Sequence, residues 1–100
     1  MDILVVGAGE MGRWFARILD EHATDSPDFA FLDTDPTVAR TAADAVGGRA
    51  VSPETTERFD LVCVAVPMPV TVDAIETYAP NADGAICDLA GIMADAIESV

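Results

Sequence analysis

The 100-residue sequence has no lysine, only one histidine and no long apolar run. A helix that spans a bilayer needs about 20 consecutive apolar residues, so the missing run argues against a membrane span. The N-terminus also lacks a basic segment followed by an apolar stretch, which argues against a secretory signal. The 51% of apolar residues is enough for a buried core. We therefore expect one domain over residues 1–100 and a cytoplasmic location.

Positive charge is scarce, because five arginines face 18 acidic residues and the net charge is −13. This balance argues against nucleic-acid and anionic-membrane partners, which both attract basic surfaces. The acidic residues are scattered along the chain rather than gathered in a docking tail. We expect an acidic, halophilic protein, since the Debye length is only about 3 Å at 1 M salt and repulsion is then screened. The alternative is an acidic protein without that adaptation.

Cysteine and histidine are too few to indicate a metal site. Cys63 and Cys87 each lie in an apolar run, which favours small buried side chains over a disulfide in an intracellular protein. Neither has a second cysteine or a histidine at metal-ligand spacing. His22 falls at the end of the first predicted helix, where its interaction with the helix dipole is the simplest interpretation. No metal and no catalytic role is assigned to these residues.

A Gly-x-Gly-x-x-Gly loop directly follows the apolar run at 3–6 and directly precedes a helical pattern. In that context Gly7 permits the tight turn, Gly9 leaves room for a pyrophosphate, and Gly12 lets the helix approach the strand. The N–H groups of the first helical turn and the positive end of the helix dipole would face the phosphates. The same glycines also occur in ordinary tight turns, so the flanking strand and helix give the motif its weight.

An acidic residue at the end of the next apolar run supports dinucleotide binding. Asp33 lies 21 residues after Gly12, close to the roughly 20 expected for the carboxylate that bonds an adenosine ribose. Neither Thr34 nor Asp35 can neutralise the 2′-phosphate of NADP. The sequence therefore predicts NAD as the cofactor, the alternative for Asp33 being an ordinary strand-end cap.

Strand and helix patterns alternate along the chain, which predicts an α/β fold. We expect a Rossmann-type, doubly wound parallel sheet of about five strands in the order 3-2-1-4-5, with the ligand crevice between the first and fourth strands. A brief helical turn is predicted after Ser52, and the tail at 92–100 has a helical pattern. The predicted strands are 3–6, 29–32, 49–51, 61–66 and 85–89, and the predicted helices are 11–21, 36–46 and 70–78.

Several segments together resemble the prephenate dehydrogenase family. The loop Gly7-Ala8-Gly9-Glu10-Met11-Gly12, followed by Phe15 and Ala16, is similar to the family's glycine loop and first helix. Val66-Pro67-Met68 is similar to the turn after its fourth strand, and Asp88 ends the fifth strand as in the family. Each element is shared with the 3-hydroxyisobutyrate, 6-phosphogluconate and pyrroline-carboxylate enzymes, and the combination favours prephenate dehydrogenase.

The resemblance implies the NAD-binding domain of an oxidoreductase that converts prephenate to 4-hydroxyphenylpyruvate by oxidative decarboxylation, a step of tyrosine biosynthesis. It also implies that a helical domain absent from this chain supplies the catalytic histidine, the arginine that binds the small-molecule substrate, and the interface of a homodimer. We therefore assign no catalytic residue here and expect no turnover by this chain alone. Gly91 and Met93 stand where the family commonly has serine and lysine.

Within the chain, the resemblance and the glycine motif assign cofactor contacts only. Residues 65–67 would form the wall near the nicotinamide ribose, and Glu10 would offer its backbone while its side chain points to solvent. A non-catalytic nucleotide-sensing module, of the kind that gates ion transport, shares the fold and the glycine loop and stays open as an alternative. The candidate cofactor-binding residues are Gly7, Ala8, Gly9, Glu10, Met11, Gly12, Asp33, Thr34, Ala65, Val66 and Pro67.

Overall fold

Strands and helices alternate in the computed structural model, which describes residues 1–7, 9–22, 27–66 and 68–88. Within these residues a five-stranded parallel sheet has the order β3-β2-β1-β4-β5, which confirms the predicted topology. The strands are β1 (Asp2–Val6), β2 (Asp28–Leu32), β3 (Arg49–Ala50), β4 (Phe59–Val64) and β5 (Ala82–Asp88). The helices are α1 (Glu10–His22), α2 (Pro36–Val46) and α3 (Met68–Tyr78), and a 3-10 turn at Ala79–Asn81 precedes β5.

The central strands are apolar on both faces because helices cover both sides of the sheet. Alternate side chains of β1, β2 and β4 point to opposite faces, so the core has two layers. One layer packs with α1 and α2 and contains Ile3, Val5, Ala16, Phe29, Phe31, Ala39, Ala42, Ala43 and Cys63. The other faces α3 and contains Leu4, Val6, Ala30, Leu32, Phe59, Val62 and Val64.

Helix α2 begins and ends where its sequence signals predict. The Asp35 side chain accepts a hydrogen bond from the Thr37 N–H at 2.9 Å, and Pro36 occupies the first turn. Gly47 closes the helix in the left-handed conformation at φ 68°, and the N–H of Gly48 donates to the carbonyl of Ala43 at 2.8 Å. The capping aspartate and terminal glycines thus set the length of the connection from β2 to β3.

Several predicted boundaries shift by a few residues. The predicted brief turn after Ser52 is present: the Thr55 N–H donates to the Ser52 carbonyl at 3.0 Å, and the Ser52 hydroxyl accepts from the Glu54 N–H at 3.2 Å. This single turn does not continue into a helix. The Asn81 amide donates to the carbonyls of Thr55 and Glu57, at 3.1 and 2.8 Å, and links this segment to the 3-10 turn before β5. The predicted helix at 92–100 lies outside the described residues.

Candidate functional site

A cleft of about 510 Å³ opens at the carboxyl ends of β1 and β4, where the strand order reverses. In open parallel sheets this switch point is the usual location of a ligand crevice, and 300–1,000 Å³ is the typical pocket size. The lining residues are Val6, Gly7, Gly9, Leu32, Asp33, Thr34, Ala65, Val66, Asp73, Ala74, Thr77 and Tyr78.

Gly7 makes the tight turn that leaves β1. Its φ is 96°, a conformation that side chains rarely adopt, and its N–H donates to the carbonyl of Leu32 at 2.7 Å. A Cβ atom at this position would lie 2.6 Å from the carbonyl oxygen of Ala65. Both the backbone conformation and the closeness of the chain after β4 therefore require glycine here.

Gly12 allows α1 to lie against the turn and the strand. A Cβ atom on Gly12 would overlap the carbonyl oxygen of Gly7 and lie 3.1 Å from Cγ1 of Val5. One turn further along α1, Ala16 is fully buried. These contacts match the predicted packing role of Gly12, which supports the loop from behind rather than lining the cleft.

Gly9 differs from the other two glycines because its environment is open. It is exposed and lines the cleft, and a Cβ atom there would have no heavy atom within 4 Å. Its carbonyl accepts a hydrogen bond from the Arg13 N–H at 3.0 Å, which starts α1. The first N–H groups of a helix have no acceptor inside the helix, so this end of α1 offers donors at the cleft.

Asp33 follows β2 directly and faces the same cleft. Its side chain is half-buried, and Oδ1 accepts a hydrogen bond from the Asp35 N–H at 2.9 Å. This bond restricts the rotation of the carboxylate at the rim. Thr34 is exposed beside it. The cleft thus has N–H donors on the α1 side and a carboxylate on the β2 side.

Helix α3 forms a wall that the sequence did not reveal. Asp73 and Thr77 are exposed and one helical turn apart, while Ala74 and Tyr78 are half-buried on the adjoining positions. Burial raises the pKa of the Tyr78 phenol above its usual value, and its hydroxyl donates to the carbonyl of Pro53 at 3.2 Å. The spacing of four residues between Asp73 and Thr77 predicts that both lie on one face of α3, but it does not predict which face of the helix packs against the sheet.

Six of the eleven predicted residues meet at the cleft: Gly7, Gly9, Asp33, Thr34, Ala65 and Val66. Glu10 and Met11 lie in the first turn of α1, where their side chains are not described. Ala8 and Pro67 lie outside the described residues. Among the side chains that the structure describes, no group of three or more metal-ligating residues occurs. No helix within the described ranges is both long and apolar enough to cross a bilayer.

No protein-family model and no curated protein matches this sequence. Solved structures do match, and one is prephenate dehydrogenase from A. aeolicus in complex with hydroxyphenyl propionate and NAD+. Its TM-score is 0.75 at 21% identity, over 88% of this chain and 32% of that one. Myo-inositol dehydrogenase from Corynebacterium glutamicum has a TM-score of 0.68 at 22% identity, over 87% of this chain and 27% of its own.

GenD2 from gentamicin A biosynthesis, solved in complex with NAD, is a further match, with a TM-score of 0.61 at 23% identity. It is matched over 88% of this chain and 26% of its own. The chain therefore spans about a quarter to a third of the length of these three proteins. The likeness shows a Rossmann-type fold, and this fold is common to proteins with different substrates.

Proposed function

We propose that the cleft binds NAD, with the pyrophosphate over Gly9 and the adenosine ribose at Asp33. The observation that carries this proposal is the contrast between the three glycines. Gly7 and Gly12 are fixed by backbone contacts, whereas the position of a Gly9 side chain is open space in the cleft. The turn is packed against β1 and the chain after β4 at Gly7 and Gly12, and it has no side chain on the cleft side at Gly9. A diphosphate could therefore approach the main chain there.

The charges around the cleft favour NAD over NADP. Asp33 can accept hydrogen bonds from the two ribose hydroxyls, while a 2′-phosphate would meet its negative charge. Asp73 on α3 adds a second carboxylate to the lining. Among the described residues that line the cleft, none is arginine or lysine. The electrostatic repulsion of an extra phosphate is therefore not offset by a cation at the lining.

We further propose that the chain is the cofactor half of a dehydrogenase. Bound NAD would supply the hydride acceptor, and Ala65 and Val66 would bound the cleft near the nicotinamide ribose. Of the three solved structures described above, two are named as dehydrogenases and two are complexes with NAD, which supports this class. The glycine loop and Val66-Pro67-Met68 favour prephenate as the substrate, while the match to myo-inositol dehydrogenase equally supports another Rossmann dehydrogenase.

Calorimetric titration with NAD and NADP tests the binding proposal. At about 1 M KCl the Debye length of about 3 Å screens repulsion between distant surface charges but not a direct contact between Asp33 and a 2′-phosphate. Asp33→Asn keeps an oxygen for the Asp35 N–H and removes the charge. We expect NAD to bind more tightly than NADP, and Asp33→Asn to weaken NAD about tenfold, since a charge-assisted hydrogen bond contributes about 1.5–3 kcal/mol. Asp44→Asn, an exposed change of the same charge on α2, is the matched control. Tighter binding of NADP, or an unchanged affinity in Asp33→Asn, would contradict the assignment.

Absorbance at 340 nm in the presence of NAD and prephenate tests whether this chain alone can reduce NAD. We expect no NADH from this chain alone, because the catalytic groups are proposed to lie in a second domain. Turnover by the isolated chain would show that proposal to be wrong. The adjoining coding sequence separates the dehydrogenase from a nucleotide sensor: a His-Pro motif and a helical segment support the enzyme, and a transporter or channel supports the sensor.

A further inference from the structure

The two cysteines of the chain face each other across neighbouring strands. Cys63 on β4 and Cys87 on β5 are partners in the parallel register, and their Sγ atoms are 3.4 Å apart, within hydrogen-bonding distance. Adjacent strands lie about 4.8 Å apart and register partners point to the same face. A disulfide requires Cα atoms about 4.4–6.8 Å apart with converging side chains, so the backbone already has the required spacing.

The two thiols differ in accessibility. Cys63 is completely buried in the layer that packs with α1 and α2, whereas Cys87 is half-buried on β5, at the end of the sheet order. A small oxidant from solvent therefore reaches Cys87 first. Once Cys87 has reacted, Cys63 is the thiol within contact distance.

The two thiols also differ in acidity. The hydrogen bond between Cys87 and Cys63 lowers the pKa of Cys87 to about 7, against the opposing effects of burial and the neighbouring Asp88 carboxylate. The same interaction, together with burial, raises the pKa of Cys63 far above its ordinary value. Cys87 is therefore the more acidic of the two thiols, and the thiolate is the nucleophilic form of cysteine.

We propose that Cys63 and Cys87 form a peroxide-reactive thiol pair that closes to a disulfide between β4 and β5. The Cys87 thiolate attacks hydrogen peroxide, the O–O bond breaks, and Cys87 becomes a sulfenic acid with release of hydroxide. The Cys63 sulfur then attacks the sulfur of Cys87, the S–O bond breaks, and the hydroxyl leaves with the Cys63 proton as water. Two thiols are oxidised by two electrons, and one peroxide is reduced to two waters.

A metal site explains the same pair less well. Two thiolates leave a tetrahedral zinc site two ligands short. The side chains that the structure describes contain no third ligand close enough to complete a group of three. Disulfide formation needs only the two sulfur atoms that are already in contact and an oxidant, and it is independent of whether the cleft binds a nucleotide.

Titration of the reduced, folded protein with hydrogen peroxide tests the proposal. We expect both thiols to disappear together and the intact mass to fall by about 2 Da, the two hydrogens lost on disulfide formation. No lysine or arginine lies between residues 63 and 87, so trypsin leaves both cysteines on one fragment. Cleavage after Glu76 separates them. The resulting fragments should stay linked until a reductant is added.

Two variants separate the roles of the thiols. Cys63→Ala removes both the second thiol and its hydrogen bond with Cys87, so Cys87 should react more slowly with peroxide and stop at a sulfenic acid that dimedone traps. Cys87→Ser should leave the Cys63 thiol unmodified at peroxide concentrations that oxidise the parent. Circular dichroism checks that each variant is folded. The proposal would be overturned if both thiols of the folded parent persisted in peroxide, or if disulfides formed only between separate chains; neither result needs a variant. It would also be overturned if Cys63 in Cys87→Ser were oxidised as readily as in the parent.

Discussion

The backbones of Gly12 and Gly7 lie so close that a Cβ atom on Gly12 would overlap the carbonyl oxygen of Gly7. No side-chain rotation can relieve an overlap with backbone. Gly12→Ala should therefore lower the free energy of unfolding by about 1–3 kcal/mol, although alanine has the better helix propensity by about 1 kcal/mol. Urea denaturation followed by circular dichroism measures this difference.

Gly9→Ala is the matched control for that substitution, since a Cβ on Gly9 meets no heavy atom within 4 Å. We expect its free energy of unfolding to stay within about 1 kcal/mol of the parent, the scale of a helix-cap change. Its affinity for NAD should nevertheless fall about tenfold, corresponding to about 1.4 kcal/mol. Equal stability losses in both variants, or unchanged affinity in Gly9→Ala, would contradict the separate roles assigned to the two glycines.

A second pair of glycines separates backbone strain from steric overlap. Gly7 and Gly47 both have positive φ, at 96° and 68°, but only Gly7 has a backbone oxygen 2.6 Å from the position of a Cβ. Gly47→Ala should cost about 1–2 kcal/mol, the penalty of the left-handed conformation. Gly7→Ala adds an overlap and should cost about 2–5 kcal/mol. Thermal denaturation compares the two variants. A lower melting temperature for Gly47→Ala than for Gly7→Ala would contradict this account.

The glycine turn could be predicted because its constraints are local. Gly7, Gly9 and Gly12 lie within six residues, and each has a separate physical reason to lack a side chain. The position of Asp33 at the cleft could also be predicted, because parallel pairing brings the carboxyl ends of β1 and β2 to the same edge of the sheet. The strand order followed from the alternation of elements and the rules of parallel sheets.

Features that depend on tertiary docking could not be predicted in the same way. The contribution of Asp73 and Thr77 to the cleft depends on how α3 rotates against the sheet, and its apolar residues do not fix that rotation. Cys63 and Cys87 are 24 residues apart and meet only through the register of β4 and β5. A continuously apolar strand contains no alternation from which that register can be read.

The ion pair between Arg49 and Glu57 predicts a specific pH dependence. The guanidinium donates to both carboxylate oxygens at 2.9 and 3.0 Å, and this hydrogen bonding lowers the pKa of Glu57 and raises that of Arg49. A lowered carboxyl pKa in the folded state stabilises the fold above the unfolded value of 4.5, and this contribution is lost as the pH falls through the folded value.

Glu57→Gln should therefore lower the melting temperature at pH 7 and have a progressively smaller effect towards pH 3, about where carboxylates become protonated. The decrease should be small, because both side chains are about half exposed and exposed pairs contribute little. Glu54→Gln, a change at an exposed neighbouring carboxylate, controls for the loss of charge alone. The same decrease at both pH values would show that the ion pair is not its cause.

Surface repulsion predicts a strong dependence of stability on salt. No acidic side chain with a described burial is buried, and the ion pairs Arg49–Glu57 and Arg58–Asp83 involve two of the exposed ones. Most of the acidic side chains with a described burial are exposed, so burial does not shield their mutual repulsion. We expect the melting temperature to rise steeply with KCl as the Debye length shrinks from about 10 Å at 0.1 M to about 3 Å at 1 M.

A double variant separates charge screening from the general effect of salt on apolar burial. Asp44→Asn with Glu76→Gln removes two exposed carboxylates on different helices. It should melt at a higher temperature than the parent at low salt and gain less from added KCl, because less repulsion remains to be screened. Salting-out of apolar surface would raise both proteins equally. If the melting temperatures of the parent and the double variant rose in parallel with KCl, the stabilisation would be due to apolar burial. A melting temperature independent of KCl would contradict the halophilic interpretation of the composition.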